Sequence, residues 1–131
     1  MAEREFYLGN APKEAPENRG WIVGKFPDHV FGERFTEDVE IKYGVHKQGE
    51  EREKWSYSKT ATSLTMVVSG KMQLDFPSQS IVLAEKGDYV VWGPNIPHKW
   101  KVLEDVEIIT VRWPSKPGDN VQVSPNSIIK A

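Results

Sequence analysis

The sequence predicts an all-β sandwich or barrel, and three observations carry that expectation. Short apolar runs recur along the chain at intervals of about ten residues, the spacing of strands in such folds. Clusters of Gly, Pro, Asn and Asp separate them, and no stretch sustains a helical period beyond about two turns. No fixed-period repeat is present, which disfavours a propeller.

Taken in order, residues 1–37 read as an N-terminal arm followed by edge strands. Pro12 and Pro16 argue against a helix there, and one short pairing is expected near Phe6 to Leu8. Trp21-Ile22-Val23 and Val30-Phe31 are strand fragments broken by Gly24, Pro27 and Gly32. From Val39 to Lys47 the residues Val39, Ile41, Tyr43 and Val45 alternate with Glu40, Lys42, Gly44 and His46, a half-buried strand whose polar face holds His46. Gly49 opens a charged stretch, Glu50 to Lys54, read as a solvated bend, and the short aromatic run Trp55 to Ser58 follows. Leu64 to Val68 and Lys71 to Phe76 read as a hairpin turning at Ser69-Gly70, with Met72, Leu74 and Phe76 on one face. Ile81 to Leu83, Tyr89 to Trp92, His98 to Val102, a turn at 103–105 and Val106 to Trp113 complete the set. Residues 38–113 thus hold the main run of strands, and 114–131 form a tail whose order would come from Val121, Val123, Ile128 and Ile129.

Composition narrows the function. The chain has 131 residues and no cysteine, which removes disulfides, thiolate metal sites and thiol nucleophiles. Seventeen basic and nineteen acidic side chains give a formal charge of −2, with no basic block, so nucleic acid is not an expected partner. The first twenty residues carry charges and no apolar run, so neither signal peptide nor membrane anchor is read there, and a cytoplasmic protein is expected. Five Trp, four Tyr and five Phe suit a core, a pocket or an interface. No Gly-x-Ser-x-Gly, phosphate-binding Gly loop or helical metal-binding His pair is present.

The most informative stretch is Gly87 to Val102, GDYVVWGPNIPHKWKV. Gly87-Asp88 makes a turn, Tyr89 to Trp92 a strand, and Gly93, Pro94 and Pro97 a kink before His98. Strand alternation then puts His98, Trp100 and Val102 on one face, with Lys99 and Lys101 on the other. With its strand order and this segment, the chain resembles the cupin superfamily over about residues 38–113. Gly87 and His98 keep the spacing of the second cupin motif, with Asp88 and Pro97 in their usual company and Pro94 displaced by one position. Gly49 and Gly70 open and close the first motif. Trp55, Tyr57 and Ser63 then fall where that motif places two His and a Glu.

The resemblance implies a double-stranded β-helix, or jelly-roll barrel, and a homodimer. The substitutions imply that the family metal is absent, because a divalent site rests on three or four N, O or S ligands and only His98 remains. A rearranged metal site, built from His98, His46 and Asp75 or Glu40, is the alternative, though no spacing supports it. By the resemblance, the face of Trp55 and Tyr57 looks into the barrel, as a plug or as the wall of a pocket. Ser63 and Thr65 add small polar contacts, and Trp100 and His98 complete the wall. Arg112 alternates with Ile108 and Thr110, and serves either as a surface residue or as an inward anchor for a carboxylate. His46 and His29 are expected on the surface. The expected function is binding of a small organic molecule without a cofactor. The alternative is a cupin enzyme of isomerase, lyase or oxygenase type, with His98 as base or as residual metal ligand.

Overall fold

The structure is a computed structural model that describes residues 6–27 and 30–123. His29, Ile128 and Ile129 lie outside the described residues. Strands β1 (Trp21–Val23), β2 (Glu40–His46), β3 (Glu51–Ser58), β4 (Thr62–Asp75), β5 (Ser80–Leu83), β6 (Tyr89–Trp92), β7 (His98–Trp113) and β8 (Asn120–Val123) follow one short helix, α1 (Ala11–Asn18).

Two long strands frame the molecule. β4 and β7 run antiparallel to one another from Thr62 opposite Trp113 to Asp75 opposite Lys99. Each contributes to two sheets. The first half of β4 pairs with β6 and its second half with β5, while β7 pairs first with β3 and then with β2. One sheet thus reads β8-β3-β7-β4-β5 and the other β1-β2-β7-β4-β6, and the result is a curled double-stranded β-helix.

The expected hairpin at Ser69-Gly70 is corrected by this arrangement, as is the expected turn at 103–105, because both strands run straight through. Gly70 has φ of +84° and bends β4 instead of reversing it; the register with β7 shifts here. The reversal comes after Asp75, where the Phe76 N–H donates to the Gln79 carbonyl and leads into β5.

Inward alternation builds the core. Val67, Met72 and Leu74 from β4, Leu83 from β5 and Val102, Val106 and Ile108 from β7 form one buried cluster, with Phe76, Val90, Trp92 and Trp100 against it. Each fully buried aliphatic chain contributes roughly 1.5–3 kcal/mol. The outer face of the second sheet is apolar as well. Ile41, Val111, Leu64 and Val91 are register partners in one row across four strands, and Tyr43, Ile109, Met66 and Tyr89 form the next.

At the N-terminus the expectation of an arm without a helix is overturned, and no pairing forms at Phe6 to Leu8. Pro12 sits in the first turn, where its missing N–H has no intrahelical acceptor to lose. The Asn10 side chain accepts from the Lys13 N–H, and the Glu14 carboxylate accepts from the Asn10 N–H, a reciprocal cap. Pro16 is tolerated because the helix spans only Ala11–Asn18 and ends at Arg19, in the left-handed region. Val121 and Val123 pair with Tyr57 and Trp55 as β8 adds to β3. The loop before β8 is clasped by Asp119, whose carboxylate accepts from the Thr60 and Ala61 N–H groups and from the Thr60 hydroxyl.

Candidate functional site

The sheets enclose a cavity of about 80 Å³ whose wall includes Lys42, His46, Arg52, Thr65, Trp92, His98, Trp100 and Arg112. A second, larger space of about 250 Å³ is walled by Trp21, Phe26, Glu40, Ser58, Arg112 and the segment Pro114 to Asn120. Arg112 belongs to both walls.

His98 is the expected inward histidine, 7% exposed. Its Nδ1 lies 3.1 Å from the Ile96 carbonyl oxygen. A carbonyl only accepts, so Nδ1 carries the proton, and in the neutral ring Nε2 keeps a lone pair. Trp92 and Phe76 pack round the ring with centroids 4.8 and 6.5 Å away. Burial pushes His98 down to about 4; the Ile96 bond opposes this shift, and the Arg52 and Arg112 charges add to it. The ring is therefore neutral at physiological pH.

Of the other sequence candidates, Thr65, Trp100 and Arg112 stand in the same cavity wall as His98. Ser63 is buried and alternates inward beside Thr65, though outside that wall. Trp55 and Tyr57 occupy the opposite face of β3 from the barrel interior, since Ser56 and Ser58 are the buried positions that alternate with them. Lys99 covers the Trp55 ring from outside, its Nζ 5.1 Å from the centroid. The motif count from Gly49 was one residue out of phase with the pleat, and a one-residue offset exchanges the two faces of a strand.

Three residues assigned to the surface from sequence belong to the cavity. His46 and Lys42 come from the polar face of β2, which turns inward, while Val45 on the apolar face is 55% exposed. Arg52 comes from the supposed solvated bend, which is the start of β3, and its Nη1 donates to the Ser56 hydroxyl at 2.8 Å. Arg112 points inward and pairs with the buried Glu40 at 3.1 Å, and Ser115 also donates to that carboxylate. His46 leans on Trp100, ring centroids 5.0 Å apart, with Nδ1 3.2 Å from the Glu50 carboxylate.

The electrostatics follow from three cations sharing one interior. Burial lowers the Lys42 ammonium pKa, the charges of Arg112, Arg52 and Arg19 lower it further, and Glu40 offsets part of the effect. Burial and then Arg112 lower Arg52 likewise.

These residues do not suit a divalent metal. Among the described residues no three His, Asp or Glu side chains converge. Serines stand at the inward positions of β3, and Glu40 is engaged by Arg112 and Ser115. Asp75 is bound to Gln73 and Ser80 on the outward face of β4, so the rearranged set is not assembled. Cations round His98 would also repel a metal ion.

A β-helix with an internal polar cavity is the class that this fold and site define. No protein-family profile and no curated protein matches the chain. Solved structures do. A cupin-2 domain protein from Shewanella frigidimarina superposes with TM-score 0.51 at 22% identity, over 58% of this chain and 71% of that one. KdgF from Halomonas sp. gives 0.55 at 19%, over 63% and 74%. Pac13 from Streptomyces, described as a nucleoside dehydratase, gives 0.58 at 16%, over 68% and 71%. The chain has the fold of the cupin superfamily.

Proposed function

We propose that this is a metal-free, cupin-fold binding protein that holds a small organic molecule in the barrel, with His98, Thr65 and Arg112 orienting it. The observation that carries the reading is His98. It keeps the position of a cupin ligand, yet its Nε2 has no hydrogen-bond partner among the described residues and its neighbours in the wall are cations, not further ligands. That nitrogen is not sealed from solvent, so its lone pair is available to a bound molecule or to water.

The test is native mass spectrometry together with elemental analysis of protein purified without added metal. A co-purifying organic mass that is retained by wild type and weakened in His98→Gln supports the proposal. Stoichiometric iron, manganese, nickel or zinc overturns it.

The same lone pair favours a second reading, in which His98 is the general base of an enzyme. A ring that protonates near pH 4 is a weak proton acceptor at neutral pH, so binding is preferred.

For the expected homodimer we propose the outer apolar face as the contact. Two four-strand rows at a strand spacing of about 4.8 Å make a patch of roughly 300 Å², in which Tyr89 and Val91 are the most exposed. Laid against a second copy, such a face supplies about half of the roughly 1,000 Å² of a biological interface, so a dimer would recruit flanking residues as well.

A further inference from the structure

The cavity holds more positive charge than its own walls compensate. Lys42 arrives from β2, Arg52 from β3 and Arg112 from β7, and all three stand in one wall. Only Arg112 has a carboxylate, Glu40. Arg52 donates to a neutral hydroxyl, and the contact recorded for Lys42 is the Trp21 ring, 5.4 Å from its Nζ. Among the described residues no acid lies within ion-pair distance of Lys42 or Arg52. The excess is local, because the whole chain carries a formal charge of −2.

Partly buried cations that repel one another oppose folding unless something pairs with them. A protein that retains three of them round a cavity has a use for the field there. Guanidinium groups match the two oxygens of a carboxylate or phosphate, which a lone ammonium then supplements. Beyond Arg112 the larger space is flanked by Trp21 and Phe26, stacked with centroids 4.5 Å apart. Arg112 and Lys42 both approach the Trp21 ring, each at 5.4 Å.

We propose, building on the reading of the barrel as a binding site, that the ligand is a small organic anion: its carboxylate or phosphate sits among Lys42, Arg52 and Arg112, and its flat or apolar body extends past Arg112 to Trp21 and Phe26. His98 Nε2 then accepts a hydrogen bond from a hydroxyl or amide on the ligand. A neutral ligand gains no charge pairing there and displaces the water that solvates those cations, so anions are favoured.

The experiment is thermal unfolding at constant ionic strength with benzoate, phenyl phosphate and neutral benzamide as probes, on wild type, Lys42→Met and Arg52→Met. The expected result is a rise in Tm of several degrees with benzoate or phenyl phosphate, none with benzamide, and loss of the rise in Arg52→Met. Without probe, both variants should melt at or above the wild-type temperature, since each removes a repelling charge. An equal rise with benzamide overturns the anionic assignment while leaving a ligand-binding barrel. No rise with any probe overturns the anionic assignment and counts against the binding reading as well. Lower melting of both probe-free variants, with an anion response unchanged in either, overturns the assignment and makes the cations structural.

Discussion

The Nδ1 of His98 is 3.1 Å from the carbonyl oxygen of Ile96, two residues earlier in the chain, and this bond fixes which nitrogen carries the proton. It also makes a prediction about pH. The folded ring protonates near 4, against about 6.5 in an unfolded chain, so between these values the unfolded state binds the extra proton. Stability from this group is therefore complete above pH 6.5 and is lost as pH falls toward 4, by about 3 kcal/mol in total. Urea unfolding of wild type and His98→Gln at intervals from pH 7.5 to 4 should show the gap between them closing or reversing on acidification. A gap constant across that range would count against the neutral, buried ring.

Gly70 and Asp105 touch where the two long strands bend. A Cβ at Gly70 would lie 2.0 Å from the Asp105 carbonyl oxygen and 2.8 Å from the Val106 Cα, both backbone atoms that cannot swing aside. The positive φ adds strain for any other residue. Gly70→Ala should cost about 3 kcal/mol or prevent folding. Chemical denaturation measures it, with Gly49→Ala as reference, since Gly49 also has positive φ but open space at its Cβ. Equal losses in the two variants would mean that the close approach is unimportant.

For the outer face, light scattering at tens of micromolar protein should give twice the chain mass of 14.9 kDa. Val91, 47% exposed in the first apolar row, can take a charge without disturbing the core. Val91→Glu should therefore scatter as a monomer with an unchanged melting profile below the dissociation range. Wild type behaving as a monomer would remove the dimer outright.

Much of this fold is legible in the sequence. Alternation in His98, Trp100 and Val102, and again in Ile108, Thr110 and Arg112, marks the inward face of β7 correctly, and the kink at Gly93 to Pro97 delivers His98 to the interior. β2 misleads because alternation reports only that its two faces differ. Ile41 and Tyr43 belong to an apolar outer face, so the polar side of that strand is the inner one, and Lys42 and His46 are read backwards. β3 misleads by phase, since its inward residues are Ser56 and Ser58, one position on from the pair that a count from Gly49 reaches. Arg52, four positions before Ser56 and so on the same strand face, is the available signal. At the N-terminus Asn10 and Glu14 signal a cap that outweighs the two prolines.

Because β4 and β7 pass through both sheets, the walls are held together by main-chain ladders and cannot part like the halves of a shell. Traffic to the interior must use the rim, where Asp119 pins the Pro114 to Asn120 loop to Thr60 and Ala61. The lining is divided: Met72, Leu74 and Ile108 belong to the apolar core as well, whereas Lys42, Arg52 and Thr65 do not. Polar side chains of that second group can therefore be exchanged without touching the main-chain ladders.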